Sequence, residues 1–115
     1  MDSIETLLNK IRAFTNARDW DQYHNPKDLA ISLVLEAAEV LEHFQWKNGE
    51  ELALYLDAQK GEVSDELSDV LVYLLMLSDK LGIDLITAAQ KKIRKNEAKY
   101  PIEKSKGKNT KYTKL

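Results

Sequence analysis

Glu36 and Glu39 stand three residues apart, and so do Glu66 and Asp69. On a helix, residues at that spacing are neighbours on one face. A Glu-x-x-Glu on one helix and a Glu-x-x-Asp on the next can therefore direct four carboxylates into one cleft. Glu62 and Tyr73 extend the second stripe at helical spacing. Like charges stacked this way repel, by about 0.2–0.5 kcal/mol per pair. A hard divalent cation removes that conflict. Mg²⁺ takes oxygen ligands in octahedral geometry and shares them with water and substrate phosphates. The plain alternative is a solvated acidic face, which any charged helix can carry. A di-iron bundle needs Glu-x-x-His from two helices, and here Glu39 and Asp69 occupy the partner positions. No Gly-rich phosphate loop is present, so a phosphate site has to be built from a cation and side chains. Lys92, Asn96 and Lys99 repeat at i, i+4, i+7 further along and can meet phosphates as point charges and a polar contact.

The aromatic residues carry two readings. Trp20 and Trp46 sit at helix ends, where a tryptophan usually serves a core or an interface. Beside an acidic cleft they can also stack on a nucleobase, because every base offers a π-face. His24, four residues after Trp20, reads on its own as a capping or surface residue. His43 falls one turn after Glu39 and reads as its partner.

The elements that must position these groups are helical. Gly and Pro number only four and two, and apolar residues recur at helical rather than alternating spacing. The spacing predicts a first helix over 3–17, with Ser3 as cap and Ile4, Leu7, Leu8, Ile11 and Phe14 as its apolar side. A second starts at Asn25-Pro26, a good cap followed by a good first helical residue, and runs to near Trp46. A short helix over 50–59 ends at Gly61. The third long helix covers 62–81 and stops at Gly82. The fourth covers 84–99 and stops before Pro101, which cannot continue it. The segment after Pro101 reads as irregular. The expectation is an all-α, four-helix bundle over residues 1–100 with a basic tail over 101–115.

Composition sets the outer limits. The 115 residues suit one domain, with 43% hydrophobic and 31% charged residues. The absence of cysteine excludes disulfides, zinc ribbons, iron–sulfur clusters and thiol nucleophiles. Two histidines are too few for a His-rich metal site. No apolar run approaches the ~20 residues of a membrane span, and Met1-Asp2-Ser3-Ile4-Glu5 has no signal pattern, so a cytoplasmic protein with no membrane partner is expected. The net charge of −2 argues against general nucleic-acid binding. The tail holds five Lys and one Glu, which makes the preceding body acidic.

Taken together, these residues resemble the MazG-like all-α nucleotide pyrophosphohydrolases, and within them the dCTP pyrophosphatase type. The resemblance spans nearly the whole chain. It rests on Arg18-Asp19-Trp20, on His24-Asn25-Pro26-Lys27-Asp28-Leu29, and on the run from Leu35 to Trp46 that ends in Phe44-Gln45-Trp46. It continues through the run from Asp65 to Leu74 and the run from Lys92 to Pro101. It implies Mg²⁺-dependent hydrolysis of a nucleoside triphosphate, dCTP or a modified pyrimidine deoxynucleotide, to a nucleoside monophosphate and pyrophosphate. It implies Glu36, Glu39, Glu66 and Asp69 as catalytic metal ligands. Trp20, His24 and Trp46 match positions that line the base pocket, and Tyr73, Lys92 and Asn96 match positions that contact sugar or phosphates. Ile11 departs from the pattern, since some members of the dCTP type have a polar pocket residue there. The resemblance further implies a homo-oligomer, a tetramer or a dimer, with clefts built from more than one subunit, and a role in cleansing nucleotide pools. The rival from another class is a non-catalytic acidic bundle that binds a divalent metal structurally or docks a basic partner. Such a bundle needs neither the tryptophan pair nor the Lys92/Asn96 stripe.

Overall fold

The computed structural model describes residues 3–115. Met1 and Asp2, part of the amino-terminal stretch read for a targeting signal, lie outside the described residues. Helix α1 spans Ile4–Ala17, α2 Pro26–Glu42, α3 Gly49–Ala58, α4 Lys60–Lys80, α5 Leu85–Lys99 and α6 Ile102–Ser105. Single 3₁₀ turns occupy Asp21–Tyr23 and Tyr112–Lys114. No strand occurs among the described residues, as the all-α expectation requires. No helix among them is long and apolar enough to cross a membrane.

Local chemistry sets most boundaries. Ser3 Oγ accepts from the Thr6 amide at 3.1 Å and caps α1. Asn25 accepts from the Asp28 amide at 2.9 Å, and its side-chain amide donates to the Asp28 carboxylate at 2.7 Å. With Pro26 at the first helical position, this fixes the start of α2. Asp84 caps α5 through the Thr87 amide at 3.1 Å. Each such cap contributes about 1 kcal/mol.

Three boundaries differ from the sequence expectation. Helix α2 stops at Glu42 rather than near Trp46. The Phe44 and Gln45 amides both return to the Leu41 carbonyl, and Trp46 takes a left-handed backbone with φ 68°. The break between α3 and α4 falls at Gln59, and Gly61 lies inside the first turn of α4. The Gln59 carbonyl accepts from the Val63 amide, so the helix is under way before the glycine can end it. The tail after Pro101 is not wholly irregular. It forms α6 and a terminal 3₁₀ turn, where Tyr112 meets the edge of Tyr100 at 6.0 Å and receives Lys99 Nζ at 4.7 Å over its ring.

The chain divides into two compact units, the first ending at Gly82 and the second running from Ile83 to Leu115. In the first, α1, α2 and α3 all pack against α4, and the α2–α4 contact is the most extensive. Leu29 of α2 and Leu75 of α4 are 1% and 2% exposed, and Ile11 of α1 joins them. Burying one such side chain stabilises by about 1.5–3 kcal/mol. The buried Thr15 and Ser78 hydroxyls donate within their own helices, to the Arg12 carbonyl at 3.1 Å and the Leu75 carbonyl at 2.9 Å. At its carboxyl end α4 is tied down by charge. Arg12 forks onto both oxygens of Asp79, Nε at 3.0 Å, and Lys80 pairs with Asp21.

The hydrogen bonds from Arg12 hold the Asp79 carboxyl below its ordinary value. A carboxylate with a depressed folded pKa contributes stability above its unfolded pKa and loses it as pH falls through the folded one. Asp79→Asn should therefore lower the melting temperature at neutral pH, and the gap from the parent should close on acidification. A gap independent of pH in a thermal-melt series would show that the ion pair is not its source.

Candidate active site

The extensive packing of α2 against α4 brings the two acidic pairs together. Glu36 and Glu39 sit one turn apart on α2, and Glu66, Asp69 and Tyr73 follow one another along α4. The Glu36 carboxyl is pushed above its ordinary value. Burial is the main cause, followed by a hydrogen bond with Glu39 and by the charges of Glu39, Asp69 and Glu66. The other three predicted acids thus all act on the Glu36 carboxyl. Glu36 Oε2 is buried and has no hydrogen-bond partner, a costly position for a carboxylate oxygen.

Glu66 is held differently. Its Oε2 is also buried and without a hydrogen-bond partner, but His43 Nε2 stands in close contact with it. The imidazole is 7% exposed, and its Nδ1 lies 2.8 Å from the Tyr55 hydroxyl on α3. His43 therefore turns to α4 rather than to Glu39, as its spacing along α2 had suggested. Among the described residues no three acidic or imidazole groups stand as a finished metal cage; Glu36 leans on Glu39 and Glu66 on His43. The donor chemistry nonetheless fits a hard cation. All four groups are carboxylates, two of their oxygens (Glu36 Oε2 and Glu66 Oε2) are buried without a hydrogen-bond partner, and crowding disfavours the fully ionised set, which a divalent cation would relieve.

Beside the acids lies a cavity of about 400 Å³, walled by α1, the segment after it and α4. Ile11, Phe14, Trp20, His24, Asp69 and Tyr73 line it. Trp20 stands edge-on to Phe14 at 5.6 Å and lies 6.4 Å from His24, while the Arg18 guanidinium rests 3.8 Å over the Phe14 ring. Asp69 belongs both to this wall and to the acid group, so the aromatic cavity opens onto the carboxylates.

Trp20, His24 and Tyr73 are thus gathered at one site with Asp69. Trp46 is not among the residues lining the cavity. It is 87% exposed, in the turn after α2. Lys92 and Asn96 lie on α5 in the second unit, both exposed. Sequence reasoning missed Phe14 as a cavity wall, because its spacing on α1 reads as core. It also missed Tyr55, whose role depends on how α3 meets the turn after α2.

A family model described as the MazG-like family matches residues 31–115. Two curated relatives, dCTP pyrophosphatase 1 of Bos taurus and of Homo sapiens, are 38% and 36% identical, each covering 98% of this chain and 70% of the relative. The crystal structure of a pyrophosphatase from Archaeoglobus fulgidus superposes with a TM-score of 0.81 at 45% identity, over 88% of this chain and 94% of that one. On the length of these matches, and with the acidic pairs within the family model's span, the chain belongs to the MazG-like family.

Proposed function

We propose that the chain is a nucleoside triphosphate pyrophosphohydrolase that releases a nucleoside monophosphate and pyrophosphate. The observation that carries this reading is Asp69, shared between a four-carboxylate group and a cavity walled by Trp20, His24 and Tyr73. A triphosphate needs a cation-holding acidic patch, and its base needs an aromatic slot alongside. The names of the relatives support dCTP as substrate; a modified pyrimidine deoxynucleotide rests on the resemblance alone.

Glu36, Glu39, Glu66 and Asp69 would hold Mg²⁺. When bound, the cation neutralises charge on phosphate oxygens and acidifies a coordinated water. The remaining work falls to the chain. Trp20 and His24 take the base, and Tyr73 the sugar or a phosphate. The apolar wall at Ile11 limits polar readout of the base on that side. Glu39 or Glu62, whichever the cation leaves free, orients the attacking water and accepts its proton. Lys92 and Asn96 are assigned to phosphate and sugar on the resemblance alone.

A homo-oligomer, a tetramer or a dimer, is supported by apolar residues left in solvent. Ile31, Val34, Leu35 and Leu41 on α2 and Leu67, Leu71 and Leu74 on α4 are all exposed. Exposed Leu or Val residues scattered singly need no explanation, but runs along two packed helices mark an interaction face. Trp46, exposed and outside its own chain's cavity, suits a cleft completed by a neighbouring subunit.

Chelation with EDTA should abolish hydrolysis, and Mg²⁺ should restore it with one monophosphate formed per pyrophosphate. Stepwise release of inorganic phosphate with accumulating diphosphate would sink the proposed reaction.

Glu36→Gln should remove most activity yet raise the melting temperature without divalent cations. A carboxyl with a raised folded pKa costs stability as pH climbs through its ordinary range, and the cost is complete above the folded pKa. The gain should therefore be largest at neutral pH and vanish in acid. If the Glu36→Gln variant melts earlier than the parent at neutral pH, the crowding is contradicted.

Trp46→Ala should raise KM about tenfold with little change in kcat. Base stacking contributes about 1–3 kcal/mol, and a contact present in ground and transition states alike moves KM alone. Loss of kcat at unchanged KM would remove Trp46 from the base site and leave it an interface role.

A further inference from the structure

Helix α2 gives way to a turn at His43, and this turn carries a buried imidazole with both nitrogens engaged. Nε2 faces Glu66 Oε2 on α4, and Nδ1 faces the Tyr55 hydroxyl on α3 at 2.8 Å. A carboxylate only accepts hydrogen bonds, so Nε2 carries the ring proton. In the singly protonated ring Nδ1 then accepts, and the Tyr55 hydroxyl donates to it. The result is a directed bond from Tyr55 O–H to Nδ1, which leaves Nε2–H beside Glu66 Oε2, a buried oxygen with no hydrogen-bond partner of its own. Tyr55 is itself held in place, with its ring 5.8 Å from His43 and Lys47 Nζ 4.2 Å over its face.

We propose that His43, oriented by Tyr55, is a positioning residue that presents the Glu66 carboxylate to the divalent cation. This rests on Glu66 being a ligand, as proposed above. A glutamate on a helix surface samples many rotamers. Fixing one oxygen from a buried donor narrows that set and leaves the second oxygen for the cation. The arrangement gives α3 a part in the site: its Tyr55 sets the ring, the ring sets Glu66, and Glu66, with Glu39 and Asp69, acts on Glu36. Carboxylate ligands steadied by such outer partners lose about 10–100-fold in metal affinity when the partner is removed. A purely structural histidine would affect folding and leave cation affinity in the folded protein unchanged.

The test uses the amide side chains as surrogates for the two nitrogens. Glutamine places its amide nitrogen near the position of Nε2, so His43→Gln keeps a donor for Glu66. Asparagine reaches only as far as Nδ1, so His43→Asn does not. Mg²⁺ affinity is measured by calorimetry on the intact oligomer without nucleotide. His43→Asn should weaken it about 10–100-fold, and His43→Gln should recover most of the loss. Tyr55→Phe, which removes a single oxygen and keeps the ring, should weaken it in the same direction by less. In assays, the Mg²⁺ concentration for half-maximal rate should rise, while KM for the nucleotide at saturating Mg²⁺ holds. Native Mg²⁺ affinity in folded His43→Asn overturns the proposal, as does an equal loss in the Asn and Gln variants. If His43→Asn fails to fold, native affinity in Tyr55→Phe overturns the proposed orientation by Tyr55. Glu66→Gln separates this from the reading beneath it. Native Mg²⁺ affinity there removes Glu66 from the ligand set, whereas a loss there with none in His43→Asn refutes the positioning role alone.

Discussion

Negative charge crowded along the α2–α4 seam is the constraint to which the rest of the first unit responds. The two helices form the most extensive contact in the chain, yet Glu36 feels burial and three neighbouring acids at once. The seam must therefore be held by something other than its own polar edge. Leu29 and Leu75 supply that hold through burial, and the Arg and Lys ion pairs of α4 sit elsewhere. Arg12–Asp79 and Lys80–Asp21 clamp the far end of α4, ten residues or about 15 Å from Asp69 along the helix at its usual rise. Placing the α4 ion pairs at that end ties α1 and the loop to the helix. It leaves Glu36 under burial and three neighbouring acids, with His43 set against Glu66 and not against Glu36.

The cavity follows from the same helix. Asp69 and Tyr73 are one turn apart, so α4 carries the polar edge and the aromatic wall in sequence. The opposite wall is held before any ligand arrives. Trp20 packs edge-on to Phe14, an arrangement worth about 0.5–1.5 kcal/mol, and Arg18 covers the Phe14 ring. A preset aromatic wall lowers the ordering cost of binding a flat base. In the function proposed above, the division of labour would be spatial, with carboxylates toward the phosphates at one end and rings toward the base at the other.

The sequence was most informative where the physics is local. Apolar spacing located the four longest helices, and Ser3 and Asn25 marked two starts because a cap acts within three residues. The end of α2 was misjudged because the left-handed turn falls on Trp46, where no glycine announces it. Gly61 misled in the opposite way, since a glycine in a first helical turn breaks nothing. The pairing of Tyr112 with Tyr100 has no periodic signature. The acidic pairs were legible from spacing, and the family resemblance assigned them. The His43–Glu66 contact was not, because it depends on the rotation of α2 about its axis relative to α4. Spacing along one helix could suggest only Glu39.

Helix α2 carries more apolar surface than one chain uses. Leu29 is buried toward the core, while Ile31, Val34, Leu35 and Leu41 stay in solvent. Val34 and Leu35 immediately precede Glu36, so this surface runs into the acidic edge. In the homo-oligomer proposed here, covering it would take water away from the flank of Glu36 and Glu39. Burial already dominates the upward push on the Glu36 carboxyl, and further burial would strengthen it. In that assembly, cation binding and subunit association would be coupled in one direction. Assembly would make the bare carboxylates less tolerable, and a bound cation would make the same buried surface acceptable. Because the exposed face and the acids share one helix, neither can change without altering the energetic setting of the other.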